Sequence, residues 1–288
     1  MPKHTPYTWR IPDFPGDGSD VSWQDPTLLV ICQKADVDTA IQPLLRSLKQ
    51  PFAPGLVVSV FVHETMREGF VGRVRGSMEH MHRQAAGHAH YRQALEMVDC
   101  LQAEVVGMLT PDDIRFRYKM TQDSPMIVCE FDHSFFGGSR PCSMVTLHTF
   151  RHASELPGLL ARERVPFVSG AVWGAKMATV YEAALYLDLV VVYINCQGIP
   201  LTPVQEFLQA KQPHVVLARY HHFEVIMHAG QHRVIVYPAK VIWEPPVRAS
   251  AGAQDQPASL GTKAITHGVA KSKKRGPTKS CLTSLSKV

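Results

Sequence analysis

The stretch that decides the fold is residues 28–65, LLVICQKADVDTAIQPLLRSLKQPFAPGLVVSVFVHET. Two short apolar runs, residues 28–32 and 57–63, are rich in β-formers and predict two strands. Apolar residues recur at helical spacing between the runs, namely Ala40, Ile41, Leu44, Leu45 and Leu48. The stretch therefore predicts a strand-helix-strand unit.

The ends of the predicted helix carry signals of their own. Asp36 and Asp38 stand at its start, where negative charge complements the partial positive charge of a helix N-terminus. Pro43 falls inside the helical pattern, and a proline there lacks the amide proton that the helix needs. We expect Pro43 to kink the helix or to delay its start.

The rest of the chain continues in the same way. Further strands are predicted at residues 104–109, 126–131, 143–150, 167–173 and 190–195, with helices at 66–81, 91–103, 153–162, 177–187 and 202–210. Residues 224–228 and 232–237 predict a β-hairpin around Ala229-Gly230-Gln231. Strands that are apolar on both faces indicate burial between helices. We predict an α/β fold, with a mostly parallel sheet flanked by helices and a C-terminal β-hairpin.

Composition and charge divide the chain into three parts. The 288 residues are 45% hydrophobic and 19% charged, which is typical of a globular protein. Residues 1–24 are rich in proline and predict an extended arm, residues 25–246 the folded domain, and residues 247–288 a disordered tail. The tail holds eight Lys or Arg and one Asp, a net charge of +7, whereas the whole chain carries +5, so the remainder is near neutral at −2.

A compact basic cluster lies within this tail, formed by Lys271, Lys273, Lys274 and Arg275. Such a cluster is typical of a nuclear-import signal or of a phosphate-binding patch. It would also let the tail bind nucleic acid, and a tail that only confers solubility remains the alternative. Localisation is accordingly expected to be nuclear or cytoplasmic.

Six cysteines, at positions 32, 100, 129, 142, 196 and 281, show no CxxC spacing. Most lie in apolar surroundings, which favours a reducing intracellular compartment over a disulfide framework. The first residues lack the apolar segment of a signal peptide, and no apolar run is long enough to cross a bilayer. We expect an intracellular protein without membrane contact.

Four histidines, His80, His82, His88 and His90, fall within the short segment HMHRQAAGHAH. Histidines at positions i and i+2 do not share a helix face, whereas on a strand they do. No cysteine is close and Glu79 is the one acidic neighbour before Glu96. The segment therefore predicts a polar helix end and loop, and these four residues are only weak metal candidates.

Four local motifs, together with the order of the predicted strands and helices, resemble those of one enzyme superfamily. They are ADVDTAI at 35–41, VFVHET at 60–65, the pair Phe136-Gly137, and VVVYIN at 190–195. Together they resemble the catalytic half of the aldehyde dehydrogenase superfamily. The resemblance implies an NAD(P)-dependent aldehyde oxidoreductase with a cysteine nucleophile, a glutamate base and a glutamate that binds the nicotinamide ribose.

The positions that match the functional residues of that family have changed. Pro54 stands where the resemblance implies the nucleophile, and Asp20 or Ser22 stands where it implies the base. Ser134 replaces the ribose-binding glutamate, which leaves Phe136 and Gly137 as vestiges of the cofactor site. Proline has no nucleophilic group and a hydroxyl cannot replace a bidentate carboxylate. We therefore predict no catalytic residue and no cofactor.

These departures favour a catalytically inactive, aldehyde dehydrogenase-like protein that acts as an interaction or assembly module. The resemblance implies pairing of the C-terminal strands between subunits, hence a homodimer, although a monomer with a covered edge is the alternative. Two other functions stay open. One is an NAD(P)-dependent aldehyde oxidoreductase, either as a subunit that completes the site of another chain or through a different thiol such as Cys32 or Cys196. The other is a nucleic-acid-associated protein that binds through its tail.

Overall fold

A computed structural model describes residues 25–108, 123–136 and 141–242 of the chain. The strands within these residues are β1 (Thr27–Ile31), β2 (Val57–His63), β3 (Val105–Val106), β4 (Ile127–Cys129), β5 (Val145–Phe150), β6 (Ser169–Trp173), β7 (Val191–Ile194), β8 (His214–Ala218), β9 (His221–His228) and β10 (Gln231–Pro238). The α-helices are α1 (Val37–Ala40), α2 (Gln42–Lys49), α3 (Arg67–Ser77), α4 (Arg83–Ala86), α5 (Ala89–Leu101), α6 (Leu156–Glu163), α7 (Met177–Tyr186) and α8 (Gln205–Gln209).

All ten strands form one sheet in the order β3-β4-β5-β2-β1-β6-β7-β10-β9-β8. The pairings from β4 through to β10 are parallel, and the pairings β3-β4, β10-β9 and β9-β8 are antiparallel. The prediction of a mostly parallel sheet with a C-terminal hairpin is therefore confirmed. The described helices include none that is long and apolar enough to cross a membrane.

Strand β1 lies in the middle of the sheet and is buried along its whole length. Leu29 and Ile31 pack into one hydrophobic cluster, with residues of α1, α2 and α3. Leu28 and Val30 pack into a second cluster on the other face, with residues of α6 and α7. Successive side chains of a strand point to opposite faces, so the continuous apolar run of β1 reflects helices on both sides of the sheet.

The helix predicted between β1 and β2 is divided in two. The side chain of Asp36 caps α1 and accepts hydrogen bonds from the backbone N–H of Thr39 and from its hydroxyl. Helix α2 then begins at Gln42, with Pro43 in its first turn, where a missing amide proton costs nothing. Both the acidic cap and the break at the proline agree with the sequence analysis.

The C-terminal strands differ from the prediction in extent. The hairpin strands β9 and β10 run for eight residues each, joined by Ala229 and Gly230, both of which have positive φ. A third strand, β8, precedes them and forms the end of the sheet, which the sequence analysis did not predict. At the opposite end, β3 is only two residues long, Val105 and Val106, which pair with Val128 and Ile127 of β4.

Candidate functional site

The position that matches the nucleophile of the resemblance, Pro54, lies in an exposed turn between α2 and β2. Ser134 is exposed in a 3-10 turn, His133–Phe135, and Phe136 is buried just after it. Imidazole Nε2 of His133 lies 2.6 Å from the carbonyl oxygen of Val58, near the start of β2. The fold therefore brings the start of β2, which follows the turn with Pro54, next to the turn with Ser134. Asp20 and Gly137 lie outside the described residues.

A thiol does lie in this region, although it is buried. Sγ of Cys142 is 3.6 Å from Nδ1 of His133, whose Nε2 must carry a proton in order to donate to the Val58 carbonyl. Burial lowers the pKa of His133, but the charges of Cys142 and Glu163 outweigh it and raise that pKa to about 9. Both side chains are almost fully enclosed, which keeps substrate away from the sulfur.

The other cysteines that the sequence analysis considered do not supply a reactive thiol. Cys32 follows β1 and Cys196 follows β7, and burial raises the pKa of each thiol to about 12. Burial likewise raises the pKa of Cys129 to about 11. The thiolate is the nucleophile, so these three side chains are inert at neutral pH.

A cavity of about 390 Å³ opens at the carboxyl ends of β1, β2 and β5. Its wall includes Cys32, His63, His152 and Glu182. In the sheet, β2 lies next to β1 on one side, and β7 lies next to β6 on the opposite side. The direction in which successive strands are added therefore reverses between β1 and β6, and the cavity lies beside this point. Open α/β sheets bind small molecules at such points.

Both ring nitrogens of His63 in this cavity are engaged. The side-chain nitrogen Nε2 of Gln33 lies 3.1 Å from imidazole Nε2 of His63. On the other side of the ring, Nδ1 lies 3.0 Å from the Thr65 hydroxyl oxygen and 3.3 Å from the Thr65 backbone nitrogen. His63 is therefore positioned through both ring nitrogens.

The four clustered histidines do not converge on one point, although the rings of His88 and His90 contact each other, with their centroids 4.9 Å apart. His80 faces Asp123 at 3.5 Å, and His88 caps α5 by accepting from the backbone N–H of His90. Nδ1 of His90 lies 3.2 Å from the carbonyl oxygen of Pro141. Across the described ranges, these histidines belong to no group of three or more side chains that could share a metal ion.

A different set of side chains converges, which the sequence analysis missed. Asp132, His148 and Glu163 each offer one ligand atom, and these atoms lie within 4.8 Å of one another. They come from the loop after β4, from the middle of β5 and from the last residue of α6. Their spacing along the chain matches no short motif, so only the topology of the sheet could have revealed them.

Glu163 is the centre of this buried group. Its Oε1 accepts hydrogen bonds of 2.6 Å from the Thr146 hydroxyl and from Nε2 of His148, and its Oε2 accepts from the backbone N–H of His133 at 2.8 Å. Burial on its own would raise the pKa of the carboxyl, but the hydrogen bond from His148 and the charges of both histidines lower it. Glu163 is therefore a buried carboxylate.

Comparison with solved structures finds aldehyde dehydrogenases. Those found include KauB from Pseudomonas aeruginosa (13% identity, TM-score 0.46, 62% of this chain and 39% of that chain), the AldA indole-3-acetaldehyde dehydrogenase of P. syringae (13%, 0.45, 62% and 39%) and an NAD-dependent benzaldehyde dehydrogenase from Corynebacterium glutamicum (12%, 0.44, 64% and 42%). This chain thus spans about two fifths of the length of those enzymes. No curated protein matches the chain.

One family model matches the sequence from residue 22 to residue 243, which includes every strand and helix of the described structure. The matched segment is well over half of the 288 residues. The chain therefore belongs to the family described as Protein of unknown function (DUF1487).

Proposed function

We propose that this protein does not oxidise aldehydes and acts as an assembly module, self-associating through strand β8. The observation that carries the proposal is the open, uncharged edge that β8 presents. Within the described residues β8 pairs on one side only, with β9. Its sequence, HVVLA, contains no Lys, Pro or acidic residue of the kind that protects sheet edges from pairing.

The side chains of β8 favour burial against another surface. Val215 and Leu217 are 61% and 63% exposed and lie on the same face of the strand. On the neighbouring strand this face carries Glu224, which accepts hydrogen bonds from the hydroxyls of Tyr181 and Tyr237. Tyr181 belongs to helix α7, so this helix covers the sheet as far as β9. It does not cover Val215 and Leu217 on β8, which remain exposed.

The turn between β8 and β9 fixes the direction of the backbone groups of the edge. Arg219 and Tyr220 both have positive φ, which is the signature of a two-residue type I′ turn. The residues that flank such a turn, Ala218 and His221, form a hydrogen-bonded pair, and hydrogen-bonded pairs alternate along the ladder. The N–H and C=O groups of Val215 and Leu217 consequently point away from β9, towards the open edge.

These directions suit a second copy of the same chain. If two β8 strands meet antiparallel about a two-fold axis through Val216, then Val215 of each copy lies opposite Leu217 of the other. This register pairs the outward backbone groups of both residues, and it gathers four apolar side chains on one face. Dimerisation would extend the sheet across both subunits.

Sedimentation velocity or light scattering of the full-length protein tests the self-association. We expect a dimer at micromolar concentration, and we expect Val215→Lys/Leu217→Lys to shift it to monomer by placing four lysines together. Met227→Lys is the matched control, because Met227 is 59% exposed on the adjacent strand but lies on the opposite face. A wild-type monomer, or a dimer that withstands the double substitution, would contradict the proposal.

The lack of aldehyde oxidation is tested separately. Its support is the proline at position 54 together with the buried, protonated state of Cys32, Cys129 and Cys196. Purified protein incubated with short aldehydes and NAD or NADP is expected to produce no more reduced cofactor than Pro54→Gly. Turnover above that control would refute this part of the proposal and leave the dimer unaffected.

A further inference from the structure

We propose that Asp132, His148 and Glu163 form a binding site for a divalent transition-metal ion of the Zn²⁺ type. The three ligand atoms are Oδ1 of Asp132, Nε2 of His148 and Oε1 of Glu163. One imidazole and two carboxylates form a donor set that suits such ions, and three protein ligands leave a fourth position for water or a small anion. This inference is independent of the proposed self-association.

Two distances between the ligand atoms lie on either side of the value for a tetrahedral site. Metal bonds of about 2.1 Å separate neighbouring ligand atoms by about 3.4 Å. Nε2 of His148 is 3.7 Å from Oδ1 of Asp132 and 2.6 Å from Oε1 of Glu163. The second contact is a hydrogen bond, so replacing its proton with a metal ion requires the two atoms to separate by about 0.8 Å.

The position of Glu163 makes a cation favourable. Its side chain is fully buried, and it is the last residue of α6, where the partial charge of the helix is negative. A carboxylate in that place is destabilised by both the lost hydration and the helix dipole. The hydrogen bonds from Thr146, His148 and the backbone N–H of His133 offset these costs in part. A divalent ion bound to Oε1 would offset them more strongly.

The other nitrogen of His148 points to the same conclusion. Nδ1 is buried and has no hydrogen-bond partner among the residues that the structure describes, and a carboxylate oxygen, Oε2 of Glu130, is 3.9 Å away. When Nε2 carries the proton, the lone pair of Nδ1 faces this carboxylate. Metal binding at Nε2 moves the proton to Nδ1, which turns the contact into the carboxylate-histidine-metal arrangement that orients most histidine ligands.

An ion could reach the site from the side of Asp132. The side chain of Asp132 is 19% exposed, while His148 and Glu163 are fully buried. Nε of Arg162 lies 3.6 Å from Oδ1 of Asp132 and competes for it, but the Arg162 side chain is 55% exposed and free to turn towards solvent. Arg162 would then stand at the mouth of the site, where it favours an anionic fourth ligand.

The experiment measures Zn²⁺ bound to the full-length protein after equilibrium dialysis, with the absorption spectrum of bound Co²⁺ as a second readout. We expect one ion per chain in this site, d-d bands of tetrahedral intensity and a higher unfolding temperature with Zn²⁺. Asp132→Asn should remove this ion and its bands. Glu130→Gln should weaken Zn²⁺ binding about tenfold, because it removes the negative charge from the orienting contact and leaves an amide oxygen that can still accept the two hydrogen bonds from Thr149.

Two controls separate the site from surface binding. Asp38→Asn breaks another aspartate-arginine pair, with Arg73, and His80→Gln removes a half-exposed histidine. Both should bind Zn²⁺ and Co²⁺ as wild type does. Circular dichroism confirms that Asp132→Asn is folded, and Glu163→Gln serves as a second variant if it is not. Wild-type protein without a tetrahedral Co²⁺ spectrum, or a folded Asp132→Asn that retains it, would overturn the proposal.

Discussion

Asn195 and Gly174 hold each other by two reciprocal hydrogen bonds. The backbone N–H of Gly174 donates to Oδ1 of Asn195, and Nδ2 of Asn195 donates to the carbonyl oxygen of Gly174, both at 2.9 Å. Asn195 follows β7 and has a positive φ of 51°, which asparagine tolerates better than most residues. The pair joins the carboxyl ends of the neighbouring strands β6 and β7.

Replacing Asn195 should therefore reduce stability without changing the fold. Asn195→Ala removes both hydrogen bonds and should lower the free energy of unfolding by about 1–3 kcal/mol. Asn195→Asp keeps the acceptor but sets a carboxylate oxygen against the Gly174 carbonyl, so its loss should be similar. Urea denaturation followed by tryptophan fluorescence measures both, and an unchanged midpoint for either variant would contradict this role.

Gly174 is also a position at which a methyl group does not fit. A Cβ atom there would lie 2.6 Å from Cγ1 of Val180 and 3.0 Å from Cβ of Cys32. Both neighbours belong to stiff, buried parts of the core, so Gly174→Ala should cost about 1–3 kcal/mol through overpacking. Gly72→Ala is the control: Gly72 lies within α3 with open space around it, and the same change should stabilise the protein by about 0.5–1 kcal/mol. Thermal unfolding of the two variants should shift in opposite directions.

Arg233 on β10 binds the C-terminal end of α7. Its Nη1 donates to the carbonyl oxygens of Leu185 and Leu187, and its Nη2 donates to Oδ1 of Asp188 at 2.8 Å. Arg233→Met should lower the free energy of unfolding by about 2–4 kcal/mol, because it leaves buried carbonyls without a donor. Asp188→Asn should cost less than about 1 kcal/mol, since the Asp188 side chain is 64% exposed. Chemical denaturation distinguishes the two, and equal losses would show that the salt bridge dominates.

The cysteines should differ sharply in reactivity. Cys100 is exposed on α5, whereas burial raises the pKa of Cys32 and Cys196 to about 12 and that of Cys129 to about 11. At neutral pH these three thiols stay protonated and enclosed. Maleimide labelling of the native protein, mapped by mass spectrometry, should modify Cys100 and should modify these three only after denaturant is added. Fast native labelling of Cys32 would reopen an enzymatic interpretation.

The sequence predicted the centre of the sheet better than its edges. The runs that became β1 and β2 are apolar on both faces, and such runs stand out whatever their tertiary context. The edge strand β8 was missed because only every second residue is exposed and its exposed residues, Val215 and Leu217, are apolar, so the alternation that marks a half-buried strand is absent.

The candidate metal ligands could not have been found in the same way. Asp132, His148 and Glu163 lie on three elements, and each is an ordinary residue in its local context. They meet only because β4 pairs with β5 and because α6 returns across the same face of the sheet. The clustered histidines were metal candidates because they are neighbours in the sequence. The side chains of sequence neighbours on a helix or loop, however, seldom converge on one metal ion.

The strand order also has a consequence for synthesis of the protein. The core pairing of β1 with β6 joins Thr27 to Ser169, so β1 can complete its pairing on that side only after most of the domain has left the ribosome. The last three strands, by contrast, are linked by two-residue turns and can form a meander within microseconds of their release. Until β6 is released, a nascent chain can pair β1 with β2 only, which leaves the other edge of the apolar β1 unpaired for much of translation.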